Sequence, residues 1–211
     1  MTTVTKQAIE DALKKNRVWD LGNKVLYDLC SLNPRHKTDE EIIAKVWLIG
    51  RSYSAAIERR KNKTADSEGD FFYENTVAPK IKNSEIDKWF EMIRMNPTPE
   101  IAVKIHSKLT NLFSEISGLD KRSLASKYLH FHFEDLFFIY DARAVKAISS
   151  ITQRPQKVVV DIPDDEADLA YKSFFQRCLW LQNDLKSLLG RKPSPREIDK
   201  IFLFIADTAK K

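Results

Sequence analysis

Apolar residues recur at helical spacing along nearly the whole chain. In residues 5–17 they fall at Ala8, Ile9, Ala12 and Leu13, which places them on one face of a helix. The same repeat predicts further helices over the segments 20–32, 38–60, 71–81, 84–95, 99–116, 142–151, 163–189 and 194–205. The pattern therefore predicts about nine to eleven helices joined by short connections.

Residues typical of helix starts and ends define several of these helix boundaries more closely. Thr38 and Glu41 fit a capping box, and Asp20 is predicted as the N-cap of the second helix. Ser194 is predicted to cap the last helix, with Pro195 in its first turn. Prolines or glycines end the helices at 33–34, 96–97 and 190. Residues 64–70 are expected to form a loop, and 157–162 a short extended connector.

Composition supports an all-α fold. Only five glycines and eight prolines occur among 211 residues, while hydrophobic residues make up 43% of the chain. A chain of this length is expected to form a single domain over residues 1–211. We expect a two-lobed bundle, with a central lobe at 36–150 and a terminal lobe built from 1–35 and 151–211.

The charge balance and the cysteines indicate which class of partner and which cellular compartment to expect. The formal net charge is +5, from 35 basic and 30 acidic residues, which is the balance expected of a protein with a polyanionic partner such as DNA. Cys30 and Cys178 lie far apart and outside any metal-binding spacing, so we expect two buried thiols. We expect a cytoplasmic monomer without membrane contact, because no signal peptide and no run of 18 apolar residues occurs.

Common catalytic motifs are absent from the sequence. The chain has no Walker A loop, no GxGxxG, no GxSxG and no HExxH pattern. His130 and His132 are two residues apart, which places them on different faces of a helix, so packing is the expected role. A metal site here would need a bend and a further ligand from Glu134, Asp135 or Asp141. No cofactor is expected.

In the segment 118–145 a glycine turn, a basic pair, aromatic residues, histidines and a carboxylate follow one another, a combination found nowhere else in the chain. A glycine-containing turn at 118–120 is followed by the basic pair Lys121 and Arg122, then by aromatic residues and histidines. The apolar run 136–140 leads directly to one carboxylate, Asp141, at the start of the next helix. This segment is the predicted active or binding region.

Residues 116–125 resemble a diverged helix-hairpin-helix, a turn whose backbone N–H groups hold a DNA phosphate. Gly118 occupies the first glycine position of that motif, and Asp120 stands where a second glycine is usual. About twenty residues further on, the run 137–140 ending in Asp141 resembles the segment that carries the essential aspartate of the helix-hairpin-helix DNA glycosylase superfamily. The resemblance is at the level of motifs over residues 101–150, and it points to a diverged bacterial branch of that superfamily.

The resemblance implies a DNA-repair hydrolase that flips a base out of DNA and cleaves its glycosidic bond. Asp141 is then expected to stabilise positive charge on the sugar and to deprotonate the attacking water or amine. Arg122 falls at the position of the nucleophilic lysine of bifunctional members, and a guanidinium cannot serve as that nucleophile. Lys121 or Lys127 could form a Schiff base instead, provided that its amine faces Asp141.

The resemblance also implies further site residues. The DNA-binding candidates are Gly118, Lys121, Arg122, Ser123 and Arg143. The candidates for stacking on a flipped base are Tyr128, Phe131 and Tyr140, with Trp89 as a further possibility, and each is also a good core residue.

Two alternatives stay open at this point. Asp141 could act only as the N-cap of the helix at 142–150. The whole protein could be a non-enzymatic helical protein that binds nucleic acid or another protein, a hypothesis that Asp120 in the turn supports.

Overall fold

The chain is helical throughout the part that the structure describes. A computed structural model describes residues 6–15, 17–59, 69–152 and 160–208. Within these residues no strand occurs, and counting the segment 70–82 as one helix gives ten helices. The predicted all-α bundle of nine to eleven helices is therefore confirmed. The expected loop at 64–70 and the extended connector at 157–162 fall largely outside the described residues.

The helices follow one another with short connections. They are α1 (Lys6–Lys15), α2 (Asp20–Leu32), α3 (Asp39–Ser52), α4 (Asp70–Phe72), α5 (Ala78–Lys82), α6 (Ile86–Met95), α7 (Pro99–Ser117), α8 (Arg122–His132), α9 (Ala142–Ile151), α10 (Leu169–Leu189) and α11 (Pro195–Thr208). Short 3₁₀ turns precede α2 and α10, and a π-helical turn (Tyr73–Val77) joins α4 to α5.

One contiguous apolar core runs from α1 to α11 and includes residues of both predicted lobes. Helix α8 lies at its centre, where it packs against α2, α3 and α7. Helix α11 packs against α9 and α1, and thereby brings the C-terminal segment onto the predicted active region. The division into two lobes stays a prediction.

Capping explains most of the observed helix starts. Thr38 accepts a hydrogen bond from the Glu41 N–H at 3.3 Å, as the capping-box pattern predicts. Ser194 and Glu197 form a reciprocal box, since each backbone N–H donates to the other's side chain. The predicted cap at Asp20 is displaced by one residue, because a 3₁₀ turn runs straight into α2 and leaves Asp20 inside the helix.

Two predicted helices are shorter than their periodicity indicates. The helix predicted over 163–189 is a 3₁₀ turn followed by α10, whose start is capped by Asp168 through the Tyr171 N–H at 3.0 Å. The helix predicted to reach residue 60 ends at Ser52.

No helix in the described part of the chain is long and apolar enough to cross a membrane.

Candidate functional site

Asp141 caps the N-terminus of α9. Its Oδ1 accepts a hydrogen bond from the Ala144 N–H at 2.9 Å, and its own backbone is extended. The preceding residue, Tyr140, is held by buried Ser126, whose hydroxyl accepts from the Tyr140 N–H at 3.0 Å. The capping role predicted for Asp141 is therefore confirmed, and its second oxygen is left for another partner.

That partner is Lys127 on α8. The Lys127 amine lies 3.6 Å from Oδ2 of Asp141 and donates a hydrogen bond to the Ser123 hydroxyl at 2.8 Å. Only 2% of the Lys127 side chain is exposed, against 23% of the Asp141 side chain. Burial lowers the pKa of the Lys127 amine, and the charge of Asp141 opposes part of that shift. The pair thus has a buried amine and a carboxylate that solvent reaches.

Tyr53 lies beside this pair because α3 ends in a sharp turn. The Ala55 N–H donates to Gly50 at 2.7 Å and the Ser54 N–H donates to Arg51, which is the bonding pattern of a Schellman motif. Ser54 occupies the left-handed position with φ 53°. The motif stops the helix and leaves the Tyr53 ring under the Lys127 amine, with its centroid 5.9 Å from the nitrogen.

A hydrogen-bonded chain extends from Tyr53 to α2 and α11. The Tyr53 hydroxyl donates to Oδ1 of Asn23 at 2.6 Å and accepts from Arg196 at 3.3 Å. Arg196 in turn forms an ion pair with Asp199. A second contact between α2 and α11, the ion pair of Asp20 with Lys200 at 2.8 Å, holds the two helices together.

Asp199 is a buried carboxyl near the Lys127–Asp141 pair. Burial raises the pKa of Asp199 to about 6, although the charge of Arg196 opposes the shift. The negative charge of Asp141 raises the Asp199 pKa further, and Lys127 lowers it. The two carboxyls and the amine are therefore electrostatically coupled, and we name Asn23, Tyr53, Lys127, Asp141, Arg196 and Asp199 the interhelical polar cluster.

The acidic residue of the hairpin turn, Asp120, bonds to Arg122 in the same hairpin. Gly118 adopts the left-handed conformation after α7, as the motif requires. Asp120 accepts a hydrogen bond from the Arg122 N–H at 2.9 Å, so this N–H at the start of α8 is already satisfied. The Arg122 guanidinium pairs with both Asp120, at 3.0 Å, and Asp168, at 2.6 Å. The turn thus keeps Gly118 in the left-handed conformation, and the Arg122 N–H is paired within the protein.

The other two basic candidates lie in different surroundings. The buried amine of Lys121 donates to the backbone carbonyls of Ala56 and Arg59, so it is held at the segment that follows α3. Arg143 is exposed in the first turn of α9, two residues after Asp141 in the sequence. Of the two candidate lysines, Lys127 therefore lies beside Asp141, whereas Lys121 is bonded elsewhere.

The aromatic candidates are covered to different degrees. The ring of Tyr128 is fully buried, and its hydroxyl bonds to His36 at 2.8 Å. Phe131 is buried against Tyr27 and Tyr53. Tyr140 is half-buried. Its ring lies 5.6 Å from the guanidinium carbon of Arg122. Stacking of a base on Tyr128 or Phe131 would require these rings to be uncovered first.

The histidines of α8 pack in the core, as expected. The two ring nitrogens of His130 bond to the Tyr27 hydroxyl at 2.6 Å and to the Phe137 carbonyl at 2.7 Å. His132 packs against Phe90 with a ring distance of 4.8 Å. Among the residues described, no group of three or more His, Cys, Asp or Glu side chains could hold a metal ion.

Sequence reasoning did not identify Asn23, Tyr53, Arg196 and Asp199 as site residues. Asp199 gave one usable signal, because it lies within the apolar stripe of α11 beside Ile198 and is buried there. An acidic residue on a buried helix face requires a partner. Asn23 and Tyr53 gave no comparable signal, since their contacts depend on the turn that ends α3.

Comparison of the chain with protein-family models, with curated proteins and with solved structures found no match.

Proposed function

We propose that the protein binds DNA and cleaves the glycosidic bond of a flipped base, with Asp141 as the catalytic carboxylate. The observation that carries the proposal is the Lys127–Asp141 pair. Solvent reaches the Asp141 carboxylate, and the buried Lys127 amine lies 3.6 Å from its Oδ2 atom. Such a carboxylate is suited to stabilise the positive charge that develops on a sugar as the base departs.

The two members of the pair have different access to a substrate. Because Asp141 is the more exposed of the two, a sugar that reaches the pair meets the carboxylate first. In the proposed reaction the base leaves with the electrons of the glycosidic bond, and a water molecule adds to the anomeric carbon. Asp141 accepts the proton of that water. Lys127 acts as a positioning residue that orients Asp141.

The predicted role of Lys127 as a nucleophile remains the competing route. Burial lowers the pKa of its amine, which favours the neutral, nucleophilic form. Borohydride reduction would trap the resulting Schiff base on Lys127. A trapped adduct would replace the positioning role with the amine route, and its absence during base release supports the water route.

DNA contacts are proposed for the exposed side of the pair. Arg143 lies in the first turn of α9, two residues after Asp141 in the sequence, and it is exposed. Arg122 and Ser123 belong to the start of α8, and Arg122 is partly exposed. The net charge of +5 supports attraction to the phosphate backbone.

The test is release of the base from oligonucleotides that carry single damaged or modified bases. Wild type is expected to release at least one base, and Asp141→Asn is expected to lose that activity by a factor of about 100 or more. Asp135→Asn is the matched control, because Asp135 is exposed and close in the sequence. Equal activity in wild type and Asp141→Asn would remove Asp141 from the mechanism.

The second candidate is a non-enzymatic nucleic-acid- or protein-binding role. The observation that favours it is the closed hairpin, in which Asp120 occupies the Arg122 N–H and pairs with its guanidinium. This candidate predicts no base release from any oligonucleotide. It also predicts that Asp141→Asn affects stability through the lost ion pair with Lys127, since the asparagine oxygen can still cap α9, and leaves binding unchanged.

A further inference from the structure

The interhelical polar cluster contains two buried donors without an acceptor. The Nδ2 atom of Asn23 and the Nε atom of Arg196 are shielded from solvent and have no hydrogen-bond partner within the described residues. Asn23 as a whole is only 7% exposed. Buried N–H groups are rarely left unpaired, because each one costs about 1–3 kcal/mol. Two such groups joined through Tyr53 therefore indicate a place built to receive an acceptor.

The orientation of the Asn23 amide follows from its neighbours. The Tyr53 hydroxyl accepts from Arg196, so its own proton is directed to Asn23. The Asn23 atom that receives this proton must be the carbonyl oxygen, and the amide nitrogen is then the unpaired end.

The same bonds give Asn23, Tyr53 and Asp199 each a donor for an oxygen atom. The Asn23 oxygen accepts from Tyr53, the Tyr53 oxygen accepts from Arg196, and the Asp199 carboxylate accepts from Arg196. What these three helices leave unpaired is a set of N–H donors. A ligand that satisfies these donors must present oxygen or unprotonated nitrogen atoms, and an amino group cannot accept from them.

The two unpaired donors are connected to the Lys127–Asp141 pair through Tyr53. Tyr53, which bonds to both Asn23 and Arg196, lies under the Lys127 amine, and Lys127 contacts Asp141. We propose that Asn23 and Arg196 read the base that reacts at Asp141 and select bases with a carbonyl edge over bases with an amino group at the same position. This inference rests on the proposed glycosylase function and names its substrate class.

Two matched pairs of bases test the selection directly. Uracil and cytosine differ by a carbonyl against an amino group, and so do hypoxanthine and adenine. Each base is placed in a duplex opposite an abasic analogue, so that base pairing does not contribute. A 2′-fluoro sugar is used because fluorine disfavours the sugar cation, and binding can then be measured without cleavage.

Wild type is expected to bind the uracil and hypoxanthine sites about tenfold more tightly than the cytosine and adenine sites. Asn23→Asp keeps the acceptor for Tyr53 and replaces the free donor, so it should abolish or reverse this ratio. Arg196→Lys keeps the positive charge beside Asp199 and removes the Nε donor, so it should reduce the ratio. Asn111→Asp makes the same chemical change at an exposed position of α7 and should leave the ratio unchanged.

The outcomes separate the two proposals. If wild type binds these duplexes without a base preference, or if the ratio survives in both variants, the recognition role is overturned and DNA binding stands. If wild type binds no DNA and releases no base, the proposed function itself fails and the recognition role fails with it. Should Asn23→Asp not fold, the ratio measured with Arg196→Lys decides.

Discussion

The amine of Lys127 lies 3.6 Å from a carboxylate oxygen of Asp141, and the side chain of Lys127 is the more buried of the two. Lys127 is buried in the middle of α8, whereas Asp141 is half-buried at the N-terminus of α9. A buried amine that is poorly compensated costs stability, and such a cost is commonly retained where function requires it.

Replacement of Lys127 by Met should therefore raise stability and remove activity. The methionine fills a similar volume without a buried charge, and Asp141 keeps both its exposure and its helix-capping bond. We expect the free energy of unfolding to rise by about 1–2 kcal/mol, or a few degrees in Tm, with base release strongly reduced. Thermal denaturation measures the first effect. A large loss of stability would show that the ion pair is a structural element.

Lys121→Met makes the same change at a different place and should have the opposite effect. Lys121 donates to the carbonyls of Ala56 and Arg59, which would lose their partner. A loss of about 1–3 kcal/mol in unfolding free energy is expected, with base release per folded molecule retained. Loss of activity in a folded Lys121→Met protein would return Lys121 to the list of catalytic candidates.

The titration of Asp199 should be visible in the pH dependence of stability. Its folded-state pKa is raised to about 6 by burial, above the ordinary value of about 3.9. The folded state therefore holds the proton more tightly, so this stabilisation is complete below about pH 4 and is lost as the pH rises through 6. Relative to Asp199→Asn, which cannot titrate, wild type should lose up to about 3 kcal/mol between pH 4 and 7.

Denaturant unfolding of both proteins across this pH range gives the difference. A difference that grows with pH in favour of wild type would mean that Arg196 stabilises the ionised Asp199 carboxylate more than burial penalises it.

The outline of the fold could be predicted from periodicity and capping, because helical propensity and apolar stripes are local properties. The capping role of Asp141 could be predicted for the same reason, since the run 137–140 and the following helix are adjacent in the sequence. The end of α3 could not be predicted, because Ser54 occupies a left-handed position where glycine is the usual signal. Without that turn the contacts of Tyr53 with Asn23 and Arg196 could not be predicted either.

Ser54 offers a direct test of that turn. A serine in the left-handed region carries a steric cost of about 1 kcal/mol that glycine does not, and the side chain is exposed. Ser54→Gly should therefore stabilise the protein by about 0.5 kcal/mol after the greater flexibility of the unfolded chain is counted. Chemical denaturation measures this change. Destabilisation would indicate that the Ser54 side chain makes a contact that the turn needs.

Asp120 should weaken DNA binding by its charge. Asp120→Asn keeps a side-chain oxygen for the Arg122 N–H and removes one negative charge beside the Arg122 guanidinium. DNA affinity at low salt should rise by a factor of about 2–5, and the gain should shrink as salt is added. Asp184→Asn changes the charge equally at an exposed position of α10 and serves as the control. An equal gain in both variants would assign the effect to net charge alone.

Lys127 and Asp141 are proposed to act as one unit on the glycosidic bond. The most direct measurement is the single-turnover rate of base release in wild type, Asp141→Asn, Lys127→Met and the double variant. We expect the double variant to lose no more than Asp141→Asn alone, roughly 100-fold or more, because Lys127 acts through Asp141. Losses that multiply in the double variant, or a full rate in Asp141→Asn, would contradict the account.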